Sequence, residues 1–173
     1  GTNGNAHNSV NIGRVNNHFF RRKSFRSVKN VFLTVTAMKK ENMPKRVIMD
    51  TNIYGFLSKS EKDELVRKIK SSLAITVYGF DVIRQELRAT PKGKVLGQNV
   101  RQRLLYVYDE IAGNHTFRTN SEIAEIATEY ALHYRGGISK KLLVNDFLIV
   151  ACASVHRLDI VVSEDNHSMF SPI

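Results

Sequence analysis

The chain has 173 residues, of which 42% are hydrophobic, so it is long enough for one domain with a well-packed core. Its single cysteine excludes a disulfide framework and a cysteine-ligated zinc site, and no apolar run approaches the ~18 residues of a membrane span. Cys152 lies within an apolar stretch and is interpreted as a small buried hydrophobe, in a cytoplasmic protein.

The formal net charge of +10 is concentrated at the N-terminus. Residues 1–42 contain eight Lys or Arg and one Glu, a net of +7, whereas residues 43–173 contain eighteen and fifteen, a net of +3. This Asn-rich segment fits a basic RNA-binding arm, an organelle-targeting segment, or an extension outside the native domain. We favour the last, with Met43 as the natural start and a domain over residues 43–173. Within the extension only residues 31–38, VFLTVTAM, resemble a strand.

The first half of the body predicts two strands that alternate with two helices. In chain order they are a buried strand at 46–50, a helix at 62–73, a strand at 74–78, and a helix at 80–90 that Pro91 and Gly93 end. Within the first of these helices, four residues share one apolar face: Leu65, Val66, Ile69 and Leu73.

The second half continues the same alternation. Its predicted elements are a helix at 97–112, a strand at 115–119, a helix that opens with a Thr119–Glu122 capping box, a helix at 145–157, and a strand within 158–166. The helix at 145–157 is apolar on nearly all sides and is expected to be central and buried. Strands separated by helices indicate a three-layer α/β/α sandwich with a central parallel sheet.

Two acids follow predicted strands at the edge of the sheet where ligands bind. Asp50 lies at the end of the first strand and Asp165 comes after the apolar run of the last, and parallel strands bring their carboxyl ends to one side. Two more acids lie on helices: Glu86 at the margin of an apolar face, and Asp146 at the start of the most apolar helix, where the helix dipole favours an acid. Taken singly, these are ordinary positions for a turn residue, a solvated helix acid or a helix-start acid.

Taken together, the four acids point to a metal. Carboxylates gathered at one rim repel one another unless a cation lies between them. Oxygen-only ligands favour Mg²⁺ or Mn²⁺, and such ions activate water for phosphodiester cleavage.

Four motifs carry a resemblance to a known family: VIMDTN, Glu86 in the helix after the second strand, NDFLIVACA, and VVSEDN. Over about residues 45–169 this pattern is similar to the PIN domain, and within that family to the VapC-type toxin ribonucleases. The resemblance implies a Mg²⁺- or Mn²⁺-dependent endoribonuclease with Asp50, Glu86, Asp146 and Asp165 as the catalytic, metal-binding residues.

The resemblance also assigns roles. Asp50, Asp146 and Asp165 are expected to hold the ion, and Glu86 to position or deprotonate the attacking water. Thr51 and Ser163 are expected to hydrogen-bond carboxylates or metal-bound water, and Asn52 to brace the loop after the first strand. We interpret Glu164 as peripheral, and the histidines at 133, 156 and 167 as structural or surface residues.

Substrate and partner predictions follow from the same resemblance. Arg84, Arg88, Lys92 and Lys94 flank Glu86 and either track the RNA backbone or form a solvated helix face. Toxins of this type are held by a small antitoxin, expected here to lay a helix in a groove and to send an Arg or Lys into the acidic site. The candidate groove residues are Leu65, Ile69, Leu105 and Tyr106. A homodimer is also expected.

One departure and two rival interpretations remain. Residues 167–173 are too few for the helix and fifth edge strand with which PIN domains usually continue, so we hypothesise that residues 31–38 occupy a sheet edge. A non-catalytic PIN-like module that binds RNA or protein is the first rival. An aspartyl-phosphate phosphatase is the second, and it would need an Asp where Asn52 stands.

Overall fold

The structure is a computed structural model that describes residues 10–16, 19–25, 43–91, 94–95, 98–135 and 137–163. For residues 10–16, 19–25, 92–98 and 136 no side chain is described. The strands are β1 (Val10–Asn16), β2 (Phe19–Phe25), β3 (Lys45–Met49), β4 (Ile75–Phe80), β5 (Lys94–Val95), β6 (Gln98–Asn99), β7 (Thr116–Phe117) and β8 (Ile160–Ser163). The α-helices are α1 (Thr51–Leu57), α2 (Asp63–Ser71), α3 (Asp81–Ala89), α4 (Val100–Ala112), α5 (Ser121–His133) and α6 (Val144–Val155).

A six-stranded sheet in the order β2-β1-β8-β3-β4-β7 forms the middle of the molecule. The strands β8, β3, β4 and β7 run parallel, as the alternation of strands and helices predicts. β3 is central, with Ile48 opposite both Val161 of β8 and Tyr78 of β4. The predicted α/β sandwich is confirmed, and the carboxyl ends of β3, β4 and β8 lie side by side.

The helices cover this sheet with apolar residues. α6 is the central buried helix that the sequence predicts, because five successive residues, 149–153, are all buried. Cys152 lies among them as a small apolar residue, and burial raises the pKa of its thiol to about 12. α5 packs along α6, while α1 and α3 both contact α4. No helix in the described part of the chain has the length and apolar character needed to cross a bilayer.

Three local predictions are wrong. Leu73 is 87% exposed, because α2 ends at Ser71 and the chain turns there before β4 begins. The cap of α5 is Asn120, whose Oδ1 accepts a hydrogen bond from the backbone N–H of Ile123 (2.9 Å). The hydroxyl of Thr119 instead donates to Asp81 Oδ1 (2.7 Å), so the Thr119–Glu122 capping box does not form. The helix α1 was not predicted, and Asn52 therefore lies in a helix and not in a loop.

The N-terminal segment contributes two strands. β1 and β2 form an antiparallel hairpin, and β1 pairs antiparallel with β8 from Asn11↔Ser163 to Arg14↔Ile160. This hairpin occupies the side of β8 that β3 leaves open. Residues 31–38, for which we hypothesise an edge strand, lie outside the described residues.

Candidate active site

Asp50 lies where β3 ends and α1 begins. Its backbone N–H donates to the carbonyl of Val162 (2.8 Å), which ties the end of β3 to β8. Its side chain caps α1, with Oδ1 accepting from the backbone N–H of Thr51 (2.7 Å). This hydrogen bond favours the charged form of Asp50, although burial and the neighbouring acids outweigh it.

Ser163 lies at the end of the neighbouring strand and faces Asp50. Its Oγ donates to Asp50 Oδ2 (3.0 Å), so both carboxylate oxygens of Asp50 are hydrogen-bonded. Ser163 is fully buried and Asp50 is only 4% exposed. The hydroxyl that the sequence predicts beside a carboxylate is therefore in contact with the first acid of the pattern.

Glu86 reaches the same region from α3. Its Oε2 accepts a hydrogen bond from Thr51 Oγ1 (2.7 Å), and Thr51 directly follows Asp50 in the chain. Thr51 therefore links two predicted acids, since its backbone binds one carboxylate and its side chain binds the other. Thr51 and Glu86 are both half-buried, which leaves this side of the site open to solvent.

Asp146 completes the described part of the acid group. It lies in the first turn of α6, half-buried, at the helix end where a carboxylate is favoured. Its carboxylate is close enough to Asp50 for the like charge to raise the pKa of Asp50. Asp165 and the peripheral Glu164 lie outside the described residues, so three of the four predicted acids are placed near one another.

Burial and like charge together raise the pKa of Asp50 from 3.8 to about 7. Loss of hydration is the largest cause, and repulsion by Asp146 comes next, with Glu86 as a smaller contributor. Hydrogen bonds from Thr51 and Ser163 act in the opposite direction. A carboxylate held this way against a negative surrounding gains from a nearby cation.

The donor set fits a hard divalent cation, because every candidate ligand is a carboxylate oxygen. Within the described ranges, however, no group of three His, Cys, Asp or Glu is arranged to hold a metal ion. The described side chains thus supply the charge and the oxygen ligands. A full set of ligands would also involve Asp165 or water.

Asp50 is expected to make the metal-free protein less stable as pH rises. Its folded pKa of about 7 exceeds the unfolded value of 3.8, so between these values the folded state binds the proton more tightly. The cost of the buried charge is absent below pH 4 and reaches on the order of 4 kcal/mol above pH 7. The comparison is made in EDTA between the unfolding free energies of Asp50→Asn and of the parent. The excess of the variant over the parent should be roughly 2–3 kcal/mol larger at pH 8 than at pH 5. Urea denaturation measures this difference, and a difference independent of pH would contradict the expectation.

Arg84 and Arg88, two of the four predicted RNA-contacting residues, lie on a different side of α3 from Glu86. Arg84 forms a two-pronged salt bridge with Asp109 (both N···O distances 3.2 Å). Two residues along a helix lie about 200° apart, so Arg84 and Arg88 project to a different side of α3 from Glu86. Lys92 and the side chain of Lys94 lie outside the described residues. Contact between these four residues and RNA remains a prediction.

The two described histidines that the sequence sets aside have structural surroundings. His133 is exposed on α5 and its Nδ1 contacts the carbonyl of Glu129 (2.9 Å). The ring of His156 stacks on Phe117 with centroids 3.7 Å apart, and burial lowers its pKa. His167 lies outside the described residues.

A groove beside the acids was missed by sequence reasoning. It has a volume of about 350 Å³ and lies between α1, α3 and α4. Its lining includes Thr51, Asn52, Phe56, Lys59, Leu87 and Thr90. A signal exists in the sequence, because Asp50 is a good N-cap residue and Ile53, Tyr54 and Leu57 recur at helical spacing after it.

The comparison with known families agrees with this arrangement. The profile of the PIN domain matches residues 47–171, which is more than two thirds of the chain and includes the whole acid group. No curated protein matches the chain. No solved structure matches it either.

Proposed function

Because this chain belongs to the PIN domain family, whose members are generally nucleases that use divalent metal ions, we propose that it is a Mg²⁺- or Mn²⁺-dependent endoribonuclease. The observation that carries the proposal is the buried Asp50, whose pKa is raised by burial and by Asp146 and Glu86. A structural protein has little use for a buried acid at the end of a sheet with two further acids that disfavour its charge.

In this proposal the residues divide into two roles. Asp50, Asp146 and Asp165 hold the ion, and Ser163 and the backbone of Thr51 fix the orientation of the Asp50 carboxylate. When bound, the ion supplies charge stabilisation at the phosphate and makes water more acidic. Glu86 orients the attacking water and accepts its proton, and its hydrogen bond from Thr51 holds the carboxylate toward Asp50.

The proposal is tested by cleavage of a labelled RNA with the purified full-length chain. We expect cleavage in Mg²⁺ or Mn²⁺, loss of cleavage in excess EDTA, and recovery when the cation is restored. Addition of Mn²⁺ to metal-free protein should also raise its melting temperature, since ligands that bind only the folded state stabilise it. RNA binding without cleavage in either cation would favour the non-catalytic module.

We further propose that the protein is the toxin of a toxin–antitoxin pair and forms a homodimer. Of the four candidate docking residues, Tyr106 is 54% exposed, Leu65 and Leu105 pack partly against the core, and Ile69 is buried. The antitoxin surface therefore centres on Tyr106, whose ring lies 5.6 Å from the Arg103 guanidinium. Sedimentation tests the dimer, and co-purification of a small protein from the native host tests the antitoxin.

A further inference from the structure

The groove between α1, α3 and α4 begins at the candidate active site. Thr51 lines the groove, and the same side chain donates to Glu86 (2.7 Å). A molecule bound in the groove therefore lies next to Thr51, the residue that contacts Glu86 of the acid group. The rest of the lining determines what kind of molecule fits.

The groove has an apolar floor and a polar rim. Leu87 and Leu104 are almost fully buried beneath it, and the half-buried ring of Phe56 forms one wall. Asn52 and Thr90 provide amide and hydroxyl groups at the rim. Apolar side chains bordered by hydrogen-bonding groups suit a nucleobase, which is an aromatic ring with polar edges.

Two lysines place positive charge beside the Phe56 ring that forms one wall of the groove. The ammonium of Lys59 lies 5.7 Å from the centre of the Phe56 ring, and that of Lys62 lies 4.8 Å from it. Lys59 also lines the groove itself. Cations beside an aromatic ring are a common arrangement where protein contacts both the phosphate and the base of single-stranded RNA.

The size of the groove favours a nucleotide over a helix. Its volume is about 350 Å³, at the lower end of the range for small-molecule sites. An α-helix is about 10 Å across with its side chains, so three turns fill on the order of 1,000 Å³. The groove can hold one nucleotide, whereas a helical partner would insert a single side chain.

We propose that this groove binds one nucleotide of a single-stranded RNA substrate, next to the phosphate that is cut. The base lies against Phe56, Leu87 and Leu104, and Lys59 contacts the phosphate of that nucleotide. This assignment rests on the proposed ribonuclease function, because it takes RNA as the substrate. It adds a binding subsite on α1 that selects single-stranded over double-stranded RNA, since a stacked, paired base cannot enter.

Gly55 offers a direct way to block the groove. It lines the groove, and a Cβ at this position would meet no atom within 4 Å, so a side chain added here starts from open space. Gly55→Leu should fill the groove, while Gly55→Ala adds one methyl group and serves as the matched control. Both replace a helical glycine, which stabilises α1.

The experiment measures binding of a fluorescein-labelled eight-nucleotide adenosine RNA to the full-length chain in EDTA, by fluorescence anisotropy. An abasic eight-mer with the same backbone provides the second probe. Gly55→Leu and Phe56→Ala are expected to weaken binding of the adenosine RNA at least tenfold, and to change binding of the abasic RNA less than threefold. Gly55→Ala should bind both probes nearly as the parent does.

Lys59→Gln tests the phosphate contact. It should weaken binding of both probes. The plot of log affinity against log salt concentration should become less steep by the contribution of about one phosphate contact. Lys68→Gln is the matched control, since Lys68 is an exposed lysine that pairs with Glu64 and does not line the groove. Circular dichroism and thermal melting confirm that each variant is folded.

The outcomes separate this proposal from the proposed function. If Gly55→Leu, folded, binds the adenosine RNA as tightly as the parent, the subsite is wrong even if the parent cuts RNA. If Gly55→Leu binds RNA as the parent does but no longer binds a helical partner protein, the groove is a protein-binding site. If Gly55→Leu loses base-dependent binding but the parent never cuts RNA in Mg²⁺ or Mn²⁺, the subsite stands and the ribonuclease function fails.

Discussion

Asp50→Asn is expected to reduce metal-dependent RNA cleavage by about three orders of magnitude or more, because several kcal/mol of transition-state stabilisation depend on the ion that this carboxylate holds. The substitution preserves shape. The amide oxygen still accepts the hydrogen bond from the backbone of Thr51, and the hydroxyl of Ser163 can accept from the new amide where it now donates (3.0 Å). Only the charge is removed. Cleavage of a labelled RNA in Mn²⁺, with parent and variant at equal concentration, measures the effect.

The control for this variant is Asp109→Asn. It makes the same chemical change at an exposed carboxylate on α4 that pairs with Arg84. Exposed ion pairs contribute little to stability, so this variant should fold normally and cut RNA at close to the parent rate. Melting in EDTA should show that Asp50→Asn is at least as stable as the parent. A folded Asp50→Asn that retains most of the parent activity would contradict the assignment of Asp50.

The acids could be located from the sequence because their neighbours are apolar. Asp50 follows three buried residues of β3, and Asp146 lies in the first turn of a helix in which residues 147 and 149–153 are buried. Charged residues at the ends of such elements are visible in a single sequence. The hydrogen bond between Thr51 and Glu86, 35 residues apart, and the contact of Ser163 with Asp50, 113 apart, depend on how the strands pair.

The wrong cap of α5 arose because several residues offered the same local signal. Thr119, Asn120 and Ser121 are three consecutive good N-cap residues, and local chemistry does not choose among them. The choice is made by Asp81, which binds both the backbone N–H (3.0 Å) and the hydroxyl (2.7 Å) of Thr119. Asn120 is then left to cap α5. A contact across 38 residues thus determines where a helix begins.

The N-terminal hairpin was the largest omission. Residues 10–25 are rich in Asn and Arg and show no steady alternation, so no strand was predicted there. The strand β1 is supported by pairing with β2 on one side and β8 on the other, and β-propensity depends strongly on such neighbours. Pairing between residues about 150 positions apart leaves no mark in a local window.

Deleting residues 1–42 is therefore expected to destabilise the protein, although the sequence alone suggests that these residues are dispensable for catalysis. All four residues of β8 are buried, and the deletion exposes the edge of this strand that pairs with β1. Losing the backbone hydrogen bonds of this pairing should cost several kcal/mol, at roughly 1 kcal/mol for each bond. An exposed apolar edge also promotes association between chains. Urea denaturation and size-exclusion chromatography measure the two effects.

Two further variants separate strand pairing from the loss of positive charge. A chain that lacks only residues 1–9 keeps both strands of the hairpin and all eight Lys and Arg of the first 42 residues, so it should match the parent. Ile12→Pro keeps the full chain and its charge but removes a backbone N–H from a strand with neighbours on both sides, so it should lower the urea midpoint. If the chain starting at Met43 instead unfolds at the parent midpoint and cuts RNA at the parent rate, the hairpin contributes nothing to the stability of the sheet. If Ile12→Pro and the long deletion both lose stability and the short deletion does not, the effect belongs to β1. This strand pairs with β8 as far as Ser163, and Ser163 donates the hydrogen bond to Asp50.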